Sequence, residues 1–126
     1  MKHVHYDEVV RKEVAEEGAQ GVSVRWLISQ EDGAPSFYMR RFELAPGGHT
    51  PRHSHAWEHE VYILEGTGTV FAAGKEGAFC AGDVIFVPPK EEHYFAAGVD
   101  GAAFLCLVPT GAAGCGCALP KQRKKR

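Results

Sequence analysis

Short runs rich in Val, Ile, Leu, Phe, Tyr and Trp recur along the chain, with polar residues interleaved and glycine or proline between them. That is the pattern of strands on a half-buried sheet, not of amphipathic helices. It predicts strands over residues 22–29, 37–44, 51–55, 58–65, 68–73, 78–80, 84–87, 93–97 and 103–108. Turns are expected through Glu31, Asp32, Gly33 and Pro35, and a loop at Pro46, Gly47 and Gly48. The one helical candidate, residues 6–17, carries Val9, Val10 and Val14 among charges, and β-branched residues do not favour an isolated helix. Many short strands joined by Gly and Pro turns predict an all-β antiparallel sandwich or barrel, and the barrel is the expected class. In a small barrel, side chains alternate inward and outward, so residues two apart on a strand share the interior.

At 126 residues, 44% hydrophobic and 24% charged, the chain suits one compact core and is too short for two. The expected organisation is an N-terminal segment (1–20), a single barrel domain (21–112) and a basic C-terminal tail (113–126). No apolar run approaches the roughly 20 residues of a membrane helix. The start of the chain, with Lys2, His3, His5, Asp7 and Glu8, lacks the apolar stretch of a secretion signal. A cytoplasmic protein with no membrane partner is therefore expected. Residues 1–120 hold 9 basic against 16 acidic side chains, and five basic residues in the last six bring the net charge to −2. An acidic body repels phosphate, which argues against a nucleic-acid partner. Cys80 and Cys106 lie in apolar stretches, while Cys115 and Cys117 sit in a Gly/Ala-rich end without a second ligand pair, so free thiols are expected.

Four of the seven histidines form one pattern, His53-x-His55-x3-His59 followed much later by His93. On an extended segment His53 and His55 point to one side, and His59 can rejoin that side after the Ala56-Trp57 corner. A barrel can bring His93 opposite them. Neutral imidazole is a good ligand for Mn, Fe, Co, Ni, Cu or Zn, with its second nitrogen oriented by a hydrogen bond. His3 and His5 lie at the terminus without such a pattern, and His49 is expected in a loop role.

The residues here resemble the cupin superfamily, in which two sequence motifs frame a metal site inside a small β-barrel. The first family motif, Gly-x5-His-x-His-x3,4-Glu-x6-Gly, is matched by Gly47-x5-His53-x-His55-x3-His59-x6-Gly66, with His59 in place of the usual Glu. The second, Gly-x5-Pro-x-Gly-x2-His-x3-Asn, is matched by Gly82-x5-Pro88-x-Lys90-x2-His93-x3-Ala97, with Lys90 and Ala97 departing from it. Glu60 also fits the spacing after His55, but the count back from Gly66 lands on His59, and strand alternation turns Glu60 to the opposite face. The resemblance spans roughly residues 37–109.

More closely, "PGGHTPRHSHAWEHEVYILEG" and "FLCLVP" are similar to small single-domain bacterial cupins that bind manganese through four histidines and form homodimers. The resemblance implies a divalent transition-metal site on His53, His55, His59 and His93, most readily Mn, with Fe, Ni or Zn as alternatives. It implies a metal-dependent oxidoreductase of dioxygenase-like type, cleaving a small organic substrate oxidatively. The other readings are a non-catalytic cupin that binds a small molecule or metal, and a sugar isomerase or epimerase. If Cys106 faces inward, as the resemblance implies, Phe104 and Val108 share the pocket wall with it; the alternative turns Leu105 and Leu107 inward. Arg40 shares its strand face with Tyr38 and Phe42, and either presents a positive group to an anionic substrate or forms a surface ion pair. A dimer is expected through the strand at residues 22–28.

Overall fold

The structure, a computed structural model, describes residues 1–111. The Cys115/Cys117 pair and the basic tail therefore lie outside the described residues. Seven antiparallel strands follow in chain order: β1 (Lys12–Glu13), β2 (Gln20–Ile28), β3 (Phe37–His49), β4 (His59–Ala72), β5 (Lys75–Cys80), β6 (Val84–Val87) and β7 (His93–Pro109). They form one sheet in the order β1-β2-β3-β7-β4-β5, with β6 also paired to β4, and the sheet wraps into a jelly-roll barrel.

All but one of the expected strands are present, and several are joined. The predicted 58–65 and 68–73 merge into β4, and 93–97 and 103–108 merge into β7. The glycines that suggested breaks instead sit at bends. Register shifts occur in β3 between Leu44 and His49, and in β4 between Ile63 and Glu65 and between Gly66 and Gly68. Gly47, Gly66 and Gly101 hold positive φ of 73°, 87° and 74° there. A bulge with a left-handed residue sharpens twist without ending the ladder, which lets long strands curve around a closed interior. The predicted loop at Pro46–Gly48 is likewise part of β3.

One expected strand is absent, and the weak helical candidate forms no α-helix. Residues 51–55 are not a strand, because they join the sheet only through one bridge between His53 and His93. Residues 6–17 form no α-helix; a 3-10 turn at Tyr6–Glu8 precedes β1, which pairs with β2. With Val14 N–H bonded to Val22 O beside β1, sheet pairing replaces the weak helical pattern at the end of this segment.

The interior follows strand parity. Tyr38, Phe42 and Leu44 of β3, Val61 and Ile63 of β4, and Phe104, Cys106 and Val108 of β7 are all buried. Phe42, Phe104 and Phe95 stack in series, with centroids 5.4 and 4.7 Å apart. Outside, Arg25 and Arg41 share Glu43 at 3.0 and 2.9 Å, and the Arg41 guanidinium lies 4.1 Å from the Tyr6 ring centroid, fastening the N-terminal segment to the sheet. No helix among the described residues is long and apolar enough to cross a membrane.

A Cβ at Gly66 would collide with the carbonyl of Gly101, at a φ that L residues rarely adopt, whereas one at Gly77 would meet only Val70 Cγ1 at 3.9 Å. Gly66→Ala is therefore expected to cost roughly 2–4 kcal/mol in denaturant unfolding. Gly77→Ala is the control, expected to stay within about 1 kcal/mol of the parent because it combines no clash with unstrained φ.

Candidate metal centre

The His53 segment is held to the start of β7 by main-chain bonds. His93 N–H donates to His53 O at 2.9 Å and His53 N–H donates to His93 O at 3.2 Å, while Thr50 N–H donates to Phe95 O at 2.9 Å. Two sequence-distant histidines are thereby fixed side by side. On the other flank, Lys90 N–H donates to His55 O. Lys90 takes a φ of 72°. It keeps the left-handed turn for which glycine is the natural residue, so its departure from the motif changes the side chain and not the backbone path.

His53, His55 and His93 present ligand atoms that all lie within 4.8 Å of one another. His59 adjoins them: its ring centroid is 4.7 Å from that of His93, and its Nε2 is 3.1 Å from His55 Nδ1. The structure thus brings the four sequence-selected histidines together, three of them as a compact ligand group. Glu60 is exposed on the outer face, while its neighbour His59 is buried at 4% exposure.

The donor pattern decides which nitrogens are available. A carboxylate or a carbonyl only accepts, so the proton in each contact must belong to the imidazole. His53 Nδ1 lies 3.3 Å from Glu16 Oε2 and therefore donates to it. His93 Nδ1 lies 2.9 Å from the main-chain oxygen of Glu91 and likewise donates. In both neutral rings the lone pair is left on Nε2. Glu16 is the residue that sequence reasoning missed, because it lies 37 positions before His53, in the segment assigned outside the barrel.

Burial favours the neutral rings. It lowers the His53 pKa to about 4, helped by His93 and Arg40, and the His59 pKa to about 2, helped by Arg40 and the other imidazoles. Burial also lowers that of His93, against the opposing effect of the Glu91 carbonyl bond. Near neutral pH these rings are therefore uncharged and little contested by protons.

Arg40 is fully buried, which removes the surface ion-pair alternative. Its Nη2 lies 3.0 Å from Cys106 Sγ and 3.4 Å from His59 Nδ1, and its guanidinium packs near the rings of Trp26 and Phe42. Cys106 and Phe104 face inward at 3% and 2% exposure, while Leu105 and Leu107 are half-buried. Together these side chains form the wall behind His59. The cavity they share with His53 and His93 is about 30 Å³, roughly the space of one water molecule. Trp57 stacks on His55 at 4.7 Å and lines a larger groove of about 460 Å³ at the outer lip.

The donor set suits a divalent transition ion: converging neutral imidazoles, two with lone pairs set by acceptors behind them, in a cavity of single-ligand size. A jelly-roll barrel carrying such a histidine cluster is the architecture of a small cupin. The cupin domain family matches residues 40–108, more than half the chain, and the chain belongs to that family.

It is similar to the polyketide cyclase RemF from Streptomyces resistomycificus, with 39% identity and a TM-score of 0.81 over 87% of this chain and 80% of that one. It is 37% identical over 71 residues to 1-methylthio-D-xylulose 5-phosphate methylsulfurylase of Rhodospirillum rubrum. It is 30% identical over 88 residues to the tetracenomycin polyketide synthase protein TcmJ of Streptomyces glaucescens. These two matches take in 56% and 68% of this chain and 46% and 59% of the relatives, so the chain spans about half the length of the curated relatives it matches.

Removing one imidazole from the ligand group should remove the ion. His53→Ala and His93→Ala are expected to lose stoichiometric metal in elemental analysis of dialysed protein, and Glu60→Ala to retain it. Equal loss from Glu60→Ala would contradict this assignment.

Proposed function

We propose that the chain is a divalent-metal-dependent enzyme in which His53, His55, His59 and His93 hold the ion and the substrate is a small, largely apolar, oxygen-bearing compound. The observation that carries this reading is the convergence of His53, His55, His59 and His93, with His59 and His93 buried and burial lowering the pKa of His53, His59 and His93. The bound ion supplies a Lewis-acidic centre that keeps its full charge, because no carboxylate is among the proposed ligands. Arg40 behind His59 opposes protonation of the cluster. Phe42, Phe95 and Phe104 keep the wall apolar, and Trp57 offers a flat face at the lip beside His55. Such a lining gives a sugar few hydrogen-bond partners, which disfavours the isomerase reading.

The likeness to RemF and TcmJ supports a poly-carbonyl, polyketide-type substrate and ring closure assisted by carbonyl polarisation. A second reading is dioxygenase-like oxidative cleavage with Mn or Fe, for which the cavity of about 30 Å³ beside His53, His59 and His93 offers room for oxygen or peroxide. Zn, which has no redox chemistry, would serve ring closure but not oxidation. The proposed assembly is a homodimer in the cytoplasm.

Protein loaded separately with Mn, Fe, Zn or Ni separates the two chemistries when offered a linear aromatic poly-ketone and a phenolic alkene. The ring-closure reading expects water loss from the ketone with Zn as well as Mn, by mass spectrometry, and no oxygen or peroxide uptake. Uptake with Mn or Fe alone, with cleavage of the alkene, would replace that reading by the oxidative one.

A further inference from the structure

Glu16 reaches the histidine cluster from outside the matched cupin region. β1 pairs with β2 through Lys12 opposite Val24 and Glu13 opposite Ser23, and Val14 N–H then donates to Val22 O at 2.9 Å. Val14 is buried and lines the same cavity as His53, His59 and His93. The chain turns immediately afterwards, with Ala19 N–H donating to Glu16 O at 3.0 Å. Gly18, at φ +94°, completes the reversal beside Pro51. That path sets the Glu16 carboxylate behind His53.

The two carboxylate oxygens differ. Oε2 accepts from His53 Nδ1 at 3.3 Å, and Oε1 is buried with no hydrogen-bond partner among the described residues. Burying half a carboxylate without a partner is unfavourable for folding. Its place is therefore better accounted for by what it does to His53 than by a gain in stability. His93 obtains the same service locally, from the carbonyl two residues before it, whereas His53 depends on a side chain imported from the N-terminal segment.

We propose that Glu16 is a positioning residue of the metal centre: by accepting the His53 Nδ1–H it fixes the tautomer and ring orientation that direct the His53 Nε2 lone pair at the ion. This rests on the metal-site reading above. Outer acceptors of this kind typically account for 10–100-fold in metal affinity. The N-terminal segment is then part of the site and not an appendage to the barrel.

The test compares the full chain with Glu16→Ala, Glu16→Gln and His53→Ala by two readouts: zinc affinity in competition with a chelating indicator, and the His53 tautomer from imidazole 15N shifts without added metal. Glu16→Ala is expected to bind zinc about 10–100-fold more weakly at unchanged 1:1 stoichiometry. Its thermal midpoint without metal should stay close to the parent, and His53 should lose its preference for the Nδ1–H form. Glu16→Gln, whose amide oxygen still accepts, should restore most of the affinity and the tautomer. Parental affinity and tautomer in Glu16→Ala would overturn the proposal while leaving the site intact, provided His53→Ala loses zinc. If the parent chain and His53→Ala bind zinc alike, or neither binds it, the metal-site reading falls and the proposal with it.

Discussion

A neutral imidazole has one proton and one available lone pair, and the centre depends on which nitrogen carries which. An imidazole serves a metal only through a nitrogen whose lone pair faces the ion. Here His53 and His93 direct their protons outward, to Glu16 Oε2 and to the Glu91 carbonyl, and so turn their lone pairs inward. Burial and the nearby Arg40 charge hold the rings neutral well below pH 7. The site is thereby prepared by hydrogen-bond direction and low polarity acting together.

The barrel serves that arrangement through its bends. β3, β4 and β7 are long strands that curve at Gly47, Gly66 and Gly101, and their curvature places the start of β4, the start of β7 and the 51–55 segment around one end of the interior. The His53–His93 bridge then closes the sheet across the two motifs. A fully buried Arg40 is costly in isolation. Its contacts with Cys106, His59 and the faces of Trp26 and Phe42 are the features that make it tolerable there, and they tie the wall of the site to the aromatic core.

Much of this was legible in the residues. Period-two alternation put Tyr38, Arg40 and Phe42 on one face of β3, and together with the count back from Gly66 it separated His59 from the outward Glu60; on β7 alternation left two faces open, and the resemblance pointed to the one that carries Phe104, Cys106 and Val108, which is the buried one. Glycine was harder to read, because the same residue marks a chain reversal or a bulge inside a continuing ladder; Gly66 is the second kind. Residues 51–55 look extended and alternate correctly, yet join the sheet at one position only. Glu16 carried no local signal at all. Its place comes from the β1–β2 pairing and the turn at Gly18, and contacts at a separation of 37 residues are a property of the topology, not of spacing.

The central claim is that imidazoles are the only protein ligands of the ion, with the carboxylates and the thiol held back from it. X-ray absorption at the metal edge of stoichiometrically loaded protein reads this directly. The account predicts a shell of nitrogen and oxygen with the multiple scattering of three to four imidazole rings and no sulfur, unchanged in Glu60→Gln and Cys106→Ser. A metal–sulfur distance near 2.3 Å, or an imidazole count below three, would contradict it.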